Sequence, residues 1–160
     1  MSSRLLLSDF DAVDFTFFNL ESAIWNLKPK SKVMAKLETF EDLEVWKLAF
    51  DCANFVYDIT SVGRFSQDYG LRDQIRRAAV SVFSNIAEGF ERDGNKEFAN
   101  FQTTAKGSCG EVRAQAKFAF HRDYISEDEH RLLTEKLLQT SRQISGFRNY
   151  IRHSEMKGRK

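Results

Sequence analysis

Proline occurs once in this chain, at Pro29, and glycine only eight times in 160 residues. An all-β or α/β chain of this length needs far more turn-forming residues, so the stretch beyond residue 39 reads as long helices. Cysteine is scarce as well. Cys52 and Cys109 fall on helix interiors without Cys-x-x-Cys spacing, which excludes a disulfide framework and fits small buried thiols in a reduced, cytoplasmic protein. The net charge is only +1, so there is no global field, and contact with nucleic acid would need a local patch. Long apolar runs are missing too: the most apolar N-terminal stretch, FTFFNLESAIWNL (15–27), is broken by Glu21 and preceded by Asp9, Asp11 and Asp14. It is too short and too charged to span a bilayer. What is present, at 42% hydrophobic residues, is enough for one domain with its own core and too little for two.

Residues 1–33 differ from the rest. They are aromatic-rich without a sustained period and end in the basic linker KPKSKV, after which MAKLE looks like a second beginning. The expected organisation is therefore a poorly ordered or non-native N-terminal extension over 1–37, a four-helix bundle over 38–153 and a basic tail over 154–160. The rival reading of the extension is an amphipathic arm packed on the bundle.

Helices are predicted over 40–61, 69–92, 96–122 and 127–152, joined by short loops that make neighbours antiparallel: an all-α, up-down four-helix bundle. The first carries two apolar stripes, Leu43, Trp46, Phe50, Ala53, Tyr57 and Val45, Leu48, Cys52, Phe55, Ile59. Together they form an arc about twice the usual width of a surface helix, which predicts cover from two sides, by the bundle and by another subunit. In the second helix Leu71, Ile75, Ala78, Val82 and Ile86 point inward. Asn95, after the turn RDGN, is placed to cap the third helix, and Ser126 with Glu129 forms a capping box for the fourth.

The run AKGSCGEV (105–112) raises the possibility of a phosphate loop or a nucleophile. A phosphate loop needs Gly-x-x-x-x-Gly-Lys-Ser/Thr after a strand, whereas here Lys106 precedes Gly107 and no strand lies upstream. Neither Ser108 nor Cys109 has a histidine within a helical turn. The stripe Phe98, Phe101, Ala105 continues in phase through Val112, Ala116 and Ala119, so the helix runs through the glycines. On another face Ala99, Thr103, Gly107, Gly110 and Ala114 form a stripe of small residues. Each interior glycine costs about 1 kcal/mol against alanine, so this stripe predicts a close helix contact, within the chain or between subunits.

The segments QIRRAAVSVFSNIAEGFER (74–92) and FANFQTTAKGSCGEVRAQ (98–115) resemble the bacterial four-helix-bundle proteins known as 23S rRNA intervening-sequence proteins, over about residues 38–152. The resemblance rests on Arg77-Ala78-Ala79, on Ser84 through Gly89 and on Ala105 through Glu111. It implies a homopentameric ring, and a similarity to the accessory proteins of diversity-generating retroelements, which bind a reverse transcriptase and nucleic acid.

No metal or other cofactor is expected, because Glu127 and His130 make one Glu-x-x-His copy where a di-metal bundle needs two, and no catalytic group is assigned. Asn85 and Glu88 lie on a polar side of the second helix, where they are expected to bond across to another chain. Candidate subunit-interface residues are thus Val45, Leu48, Phe55, Asn85, Glu88, Gly107 and Gly110. Charge is uneven: residues 34–60 hold two lysines against six acids, net −4, and residues 126–160 hold eight basic residues against five acids, net +3. Arg142, Ser145, Asn149 and Arg152 share a face without an acid, the tail adds Lys157, Arg159 and Lys160, and Arg72 and Arg76 form a second pair. Arg72, Arg76, Arg142, Arg148 and Arg152 are the candidate nucleic-acid contacts, multiplied if the chain forms a ring. The reading is a non-catalytic homo-oligomer that engages RNA or a nucleic-acid-processing partner and no membrane; the alternative is a protein–protein scaffold.

Overall fold

The computed structural model describes residues 37–92 and 94–153. The expectations for residues 1–33 and for the basic tail with Lys157, Arg159 and Lys160 lie outside the described residues. Four helices follow one another: α1 (Glu44–Thr60), α2 (Tyr69–Glu91), α3 (Asn95–His121) and α4 (Glu127–His153). Among the described residues there is no strand, as the scarcity of turn residues requires. Each helix packs on its neighbours in sequence, and α1 also packs on α4.

Paired contacts fix the sense of each helix. Trp46 and Tyr57 of α1 meet Phe83 and Arg76 of α2. Ser81 and Phe90 of α2 meet Ser108 and Phe98 of α3, and Phe98 and Phe120 of α3 meet Phe147 and His130 of α4. In every pair the numbers rise along one helix as they fall along the next, so sequence neighbours run antiparallel.

Local signals explain most of the boundaries. Asp68 caps α2 by accepting from the Leu71 amide at 3.1 Å. Ser126 and Glu129 form the expected reciprocal box: the Glu129 amide donates to Ser126 Oγ at 3.2 Å and the Ser126 amide to Glu129 Oε2 at 2.7 Å. Two boundaries differ from expectation. The α3 cap is Gly94, at φ +130°, and Asn95 is the first helical residue, because only glycine takes that backbone conformation cheaply at the bend. The first helix starts at Glu44 rather than at 40. The amides of Glu38 and Thr39 both donate to the Asp42 carboxylate at 2.9 and 3.1 Å, which closes a separate 3-10 turn over Phe40–Asp42 and leaves Leu43 extended.

The core is a column of Ile75, Val82 and Ile86 from α2, Ala105, Cys109, Val112 and Ala116 from α3, Leu133, Leu137 and Ile144 from α4, and Ala49, Cys52 and Val56 from α1. Each large aliphatic side chain contributes roughly 1.5–3 kcal/mol on burial. Phe65, fully buried, plugs one end against Tyr124, with ring centroids 5.4 Å apart.

The wide apolar arc of α1 is covered mainly within the chain, by α2, α4 and the Phe40–Asp42 turn. Val45 is buried in the chain's own core, which removes it from the candidate subunit surface, while Leu48 and Phe55 stay half-buried. Phe50 and Tyr57 remain exposed.

The close helix approach is at Gly89 of α2. A Cβ there would lie 2.7 Å from both Phe101 Cβ and Phe98 Cδ2. At Gly107 and Gly110, by contrast, an added Cβ meets nothing within 4 Å, so no helix of the same chain packs on these two glycines. Gly89→Ala should therefore lower stability in urea denaturation by about 1–3 kcal/mol, through overpacking. Gly107→Ala should raise it by up to about 1 kcal/mol, through helix propensity. Equal responses at the two positions would contradict this placement.

Candidate nucleic-acid interface

The unbroken α3 decides which residues of 95–121 reach solvent. At about 100° per residue, Ser108, Glu111 and Gln115 share the flank toward α2. There Ser108 Oγ meets Ser81 Oγ at 2.9 Å, and Gln115 Nε2 donates to Glu111 Oε1 at 3.0 Å. The opposite flank, toward α4, carries Lys106, Gly110, Arg113 and Lys117, all exposed. The only carboxylates of α3, Glu97 and Glu111, both turn away from that flank. On α4 no carboxylate follows Glu135, and the side of that helix facing the same seam presents Ser141, Ser145, Arg148 and Arg152. A cationic strip thus runs along this flank of α3 and along α4 beyond Glu135, beside the exposed small residues Thr103, Gly107, Gly110 and Ala114, while at its Lys117 end Glu127 lies near His130.

Lys106, Arg113, Lys117, Arg148 and Arg152 form no ion pair with any described residue. Arg148 spans the seam. Its Nη1 donates to Thr103 Oγ1 at 3.4 Å, at the weak edge of hydrogen bonding, while its Nε is buried without a partner. Lys117 sits over the Phe120 ring at 5.4 Å, and His130 stacks on the same ring with centroids 4.9 Å apart. Burial, then the nearby Lys117 and His121 charges, hold the His130 pKa below its ordinary value of 6.5, so the ring is neutral at pH 7.

The remaining sequence candidates are placed apart from this seam. Arg76 lies at the α1–α2 end, where Nε donates to Thr60 Oγ1 at 2.7 Å, Nη2 donates to Ser61 Oγ at 2.8 Å, and the guanidinium covers the Tyr57 ring at 4.6 Å. Its positive charge sits at the carbonyl end of α1, which the helix dipole favours. Arg72 pairs with Asp73 at 2.8 Å, donates to the Ser66 carbonyl and lies over Tyr69. Both clamp α2 to the end of α1 and its connection. Arg142 is exposed on α4, outside the seam's Arg148–Arg152 line.

Asn85, expected to bond across to another chain, donates within its own helix to the carbonyl and hydroxyl of Ser81, at 2.7 and 3.0 Å. Glu88 pairs with Arg92 one turn on, at 2.7 Å. Charge runs in the sequence do not single out Lys106, Arg113 and Lys117. The signal that finds them is the clearing of both α3 acids from one flank.

In AKGSCGEV the thiol is withdrawn from solvent. Cys109 is buried, and its thiol is pushed up to about 12 by burial and by nearby Cys52. Cys52, also raised by burial, touches Thr140 Oγ1 at 3.5 Å. Among the described residues no three His, Cys, Asp or Glu side chains gather into a metal-binding group, and no helix is long and apolar enough to cross a membrane.

Arg76→Ala should cost about 1–3 kcal/mol in thermal or urea unfolding, because the buried Thr60 hydroxyl loses its donor and Tyr57 its cationic cover. Arg152→Ala, at an exposed residue without an ion pair, should change stability by less than about 0.5 kcal/mol. The reverse ranking would mean that Arg152 is the structural residue.

A protein of unknown function from the S23 ribosomal protein family of Bacteroides thetaiotaomicron VPI-5482 has a similar structure, with a TM-score of 0.61 at 15% identity, over 66% of this chain and 95% of that one. At that identity the likeness shows the fold. No curated protein matches the chain. The family model described as 23S rRNA-intervening sequence protein matches residues 41–146, which span all four helices up to the last two turns of α4; the chain belongs to that family.

Proposed function

We propose that the protein is a non-catalytic, self-associating helical bundle of the cytoplasm that binds structured RNA, alone or with a nucleic-acid-processing partner, through the α3–α4 seam. The observation that carries this reading is the row of cations without ion pairs: Lys106, Arg113 and Lys117 on one helix, Arg148 and Arg152 on the next. Like charges gathered without ion pairs repel one another and weaken the fold, so a structural role does not account for them. A polyanion relieves that repulsion, and the release of its counterions drives binding. The small residues beside the seam let a phosphate backbone approach the helix closely. The seam spans about 16 Å from Lys106 to Lys117 at 1.5 Å per residue, room for several phosphates. It holds no side-chain set that reads base edges, so the affinity is for backbone and shape.

Self-association supports the same reading, since a ring repeats one weak site and converts it into avidity. The finer form, a pentamer packed through the half-buried Leu48 and Phe55 and the exposed Phe50 of α1, rests on the family resemblance. It predicts a light-scattering mass at a multiple of five chains; the mass of one chain at micromolar concentration would end it.

Filter binding of a structured RNA over a range of salt tests the RNA reading. The wild-type chain should bind at low salt, with log affinity falling linearly in log salt. Replacing Lys106, Arg113, Arg148 and Arg152 by alanine should flatten that slope by about 3, at roughly 0.7–0.9 per lost phosphate contact. Absence of binding at low salt, or an unchanged slope, leaves the protein–protein scaffold as the function.

A further inference from the structure

Arg148 crosses the seam from α4 to α3 and is poorly bonded where it lies. Nη1 reaches Thr103 Oγ1 at 3.4 Å, against about 2.7–2.9 Å for a charged N–H donor on an anionic oxygen. Thr103 is a neutral acceptor, and its own proton goes to the Ala99 carbonyl at 3.0 Å. Nε is buried without a partner. Buried polar atoms are nearly always paired, so a stranded one calls for an explanation.

The surroundings within the chain do not supply one. Gln102, the residue before Thr103, is fully buried, and neither end of its amide has a partner, so it does not serve Nε. Ser145, on the same side of α4, donates its hydroxyl to the Ser141 carbonyl at 3.0 Å. The α3 carboxylates, Glu97 and Glu111, turn to the far side of that helix. On α4 the nearest carboxylate among the described residues is Glu135, about 20 Å away along the axis at 1.5 Å per residue.

Outside the chain there are both room and charge for a ligand. Gly107, one turn beyond Thr103, faces open space, since a Cβ there meets nothing within 4 Å. Lys106 on α3 and Arg152, one turn beyond Arg148 on α4, flank the crossing, both exposed and without an ion pair among the described residues. A phosphate group matches this arrangement. It accepts two parallel N–H bonds from the planar guanidinium fork, and it is compact enough to stand against a helix that presents glycine.

We infer that the Arg148–Thr103 crossing is a latch opened by a phosphate group. The guanidinium leaves Thr103 and turns its fork to two phosphate oxygens, while Lys106 and Arg152 balance the remaining charge. The inference rests on the reading of the seam as an anion-binding surface and names the point at which the first phosphate is anchored. Little holds the latch closed, because a bond of 3.4 Å to a neutral hydroxyl is weak.

Nitrogen-15 NMR of the arginine Nε–H groups in the full chain tests it, with the Arg148 signal assigned by its loss in Arg148→Lys. Pyrophosphate and a structured RNA hairpin are the two phosphate sources, and potassium chloride and potassium acetate at equal ionic strength are the controls. Pyrophosphate should shift the Arg148 signal saturably, and neither control should. Affinity in the variants is followed at the Thr103 and Lys106 amides, after circular dichroism has shown wild-type helix content. Arg148→Lys keeps the charge but loses the fork, and should bind pyrophosphate about tenfold more weakly, as expected for one lost charge-assisted hydrogen bond. Thr103→Val removes the competing acceptor at constant shape and should bind at least as tightly as wild type. The latch is overturned by an Arg148 signal that pyrophosphate leaves unmoved or that acetate moves equally, by undiminished affinity in Arg148→Lys, or by weaker binding in Thr103→Val. The two readings fail separately. A pyrophosphate shift with no RNA binding at low salt keeps the latch and ends the RNA reading, whereas salt-dependent RNA binding with Arg148 unmoved in both titrations ends the latch alone.

Discussion

The register of α3 against α2 determines what the outer surface of this protein can do. Gly89 lets the α2 backbone come within van der Waals range of Phe98 and Phe101, closer than any side chain would permit, and the Ser81–Ser108 hydrogen bond fixes the level two turns further on. On the other flank Phe98 meets Phe147 and Phe120 meets His130. With both flanks pinned, α3 cannot rotate. A slip of one residue would turn the helix by about 100° and carry Lys106, Arg113 and Lys117 away from Arg148. Packing between apolar and small residues thus sets the geometry of a charged surface that it does not touch.

Two groups of arginines illustrate how structure separates charges that look alike in a sequence. Arg72 and Arg76 place their donors on Ser66, Thr60, Ser61 and Asp73, and stack on tyrosines. They fasten two helices. Arg148 and Arg152 have no acid in reach, and Arg148 keeps Nε buried without a partner, a state that costs roughly 1–3 kcal/mol for a polar group. A ligand that draws the guanidinium toward a phosphate relieves that cost.

Much of the architecture is legible in the sequence, because heptad phase survives across AKGSCGEV and because Ser126 with Glu129 signals a helix start unambiguously. The failures have a common cause in long-range geometry. Asn95 looks like a cap, but the bend after α2 needs the left-handed backbone that Gly94 supplies. Phase alone extends α1 back to residue 40, whereas the Asp42 carboxylate closes its own turn. Gly107 and Gly110 invite a close-contact reading, yet within the chain the tight glycine is Gly89, which no pattern distinguishes because its neighbours come from another helix. The same limit hid half of the seam: Lys106, Arg113 and Lys117 gain meaning only once α4 is known to lie beside that flank.

The central claim is that the α3–α4 seam receives a polyanion. Differential lysine acylation, read residue by residue by mass spectrometry with and without a structured RNA hairpin, measures this on the native chain. Lys106 and Lys117 should react several-fold more slowly with RNA present, while Lys47, paired with Glu44 on α1, keeps its rate. Undiminished reaction at Lys106 and Lys117, with or without protection of Lys47, would contradict the account.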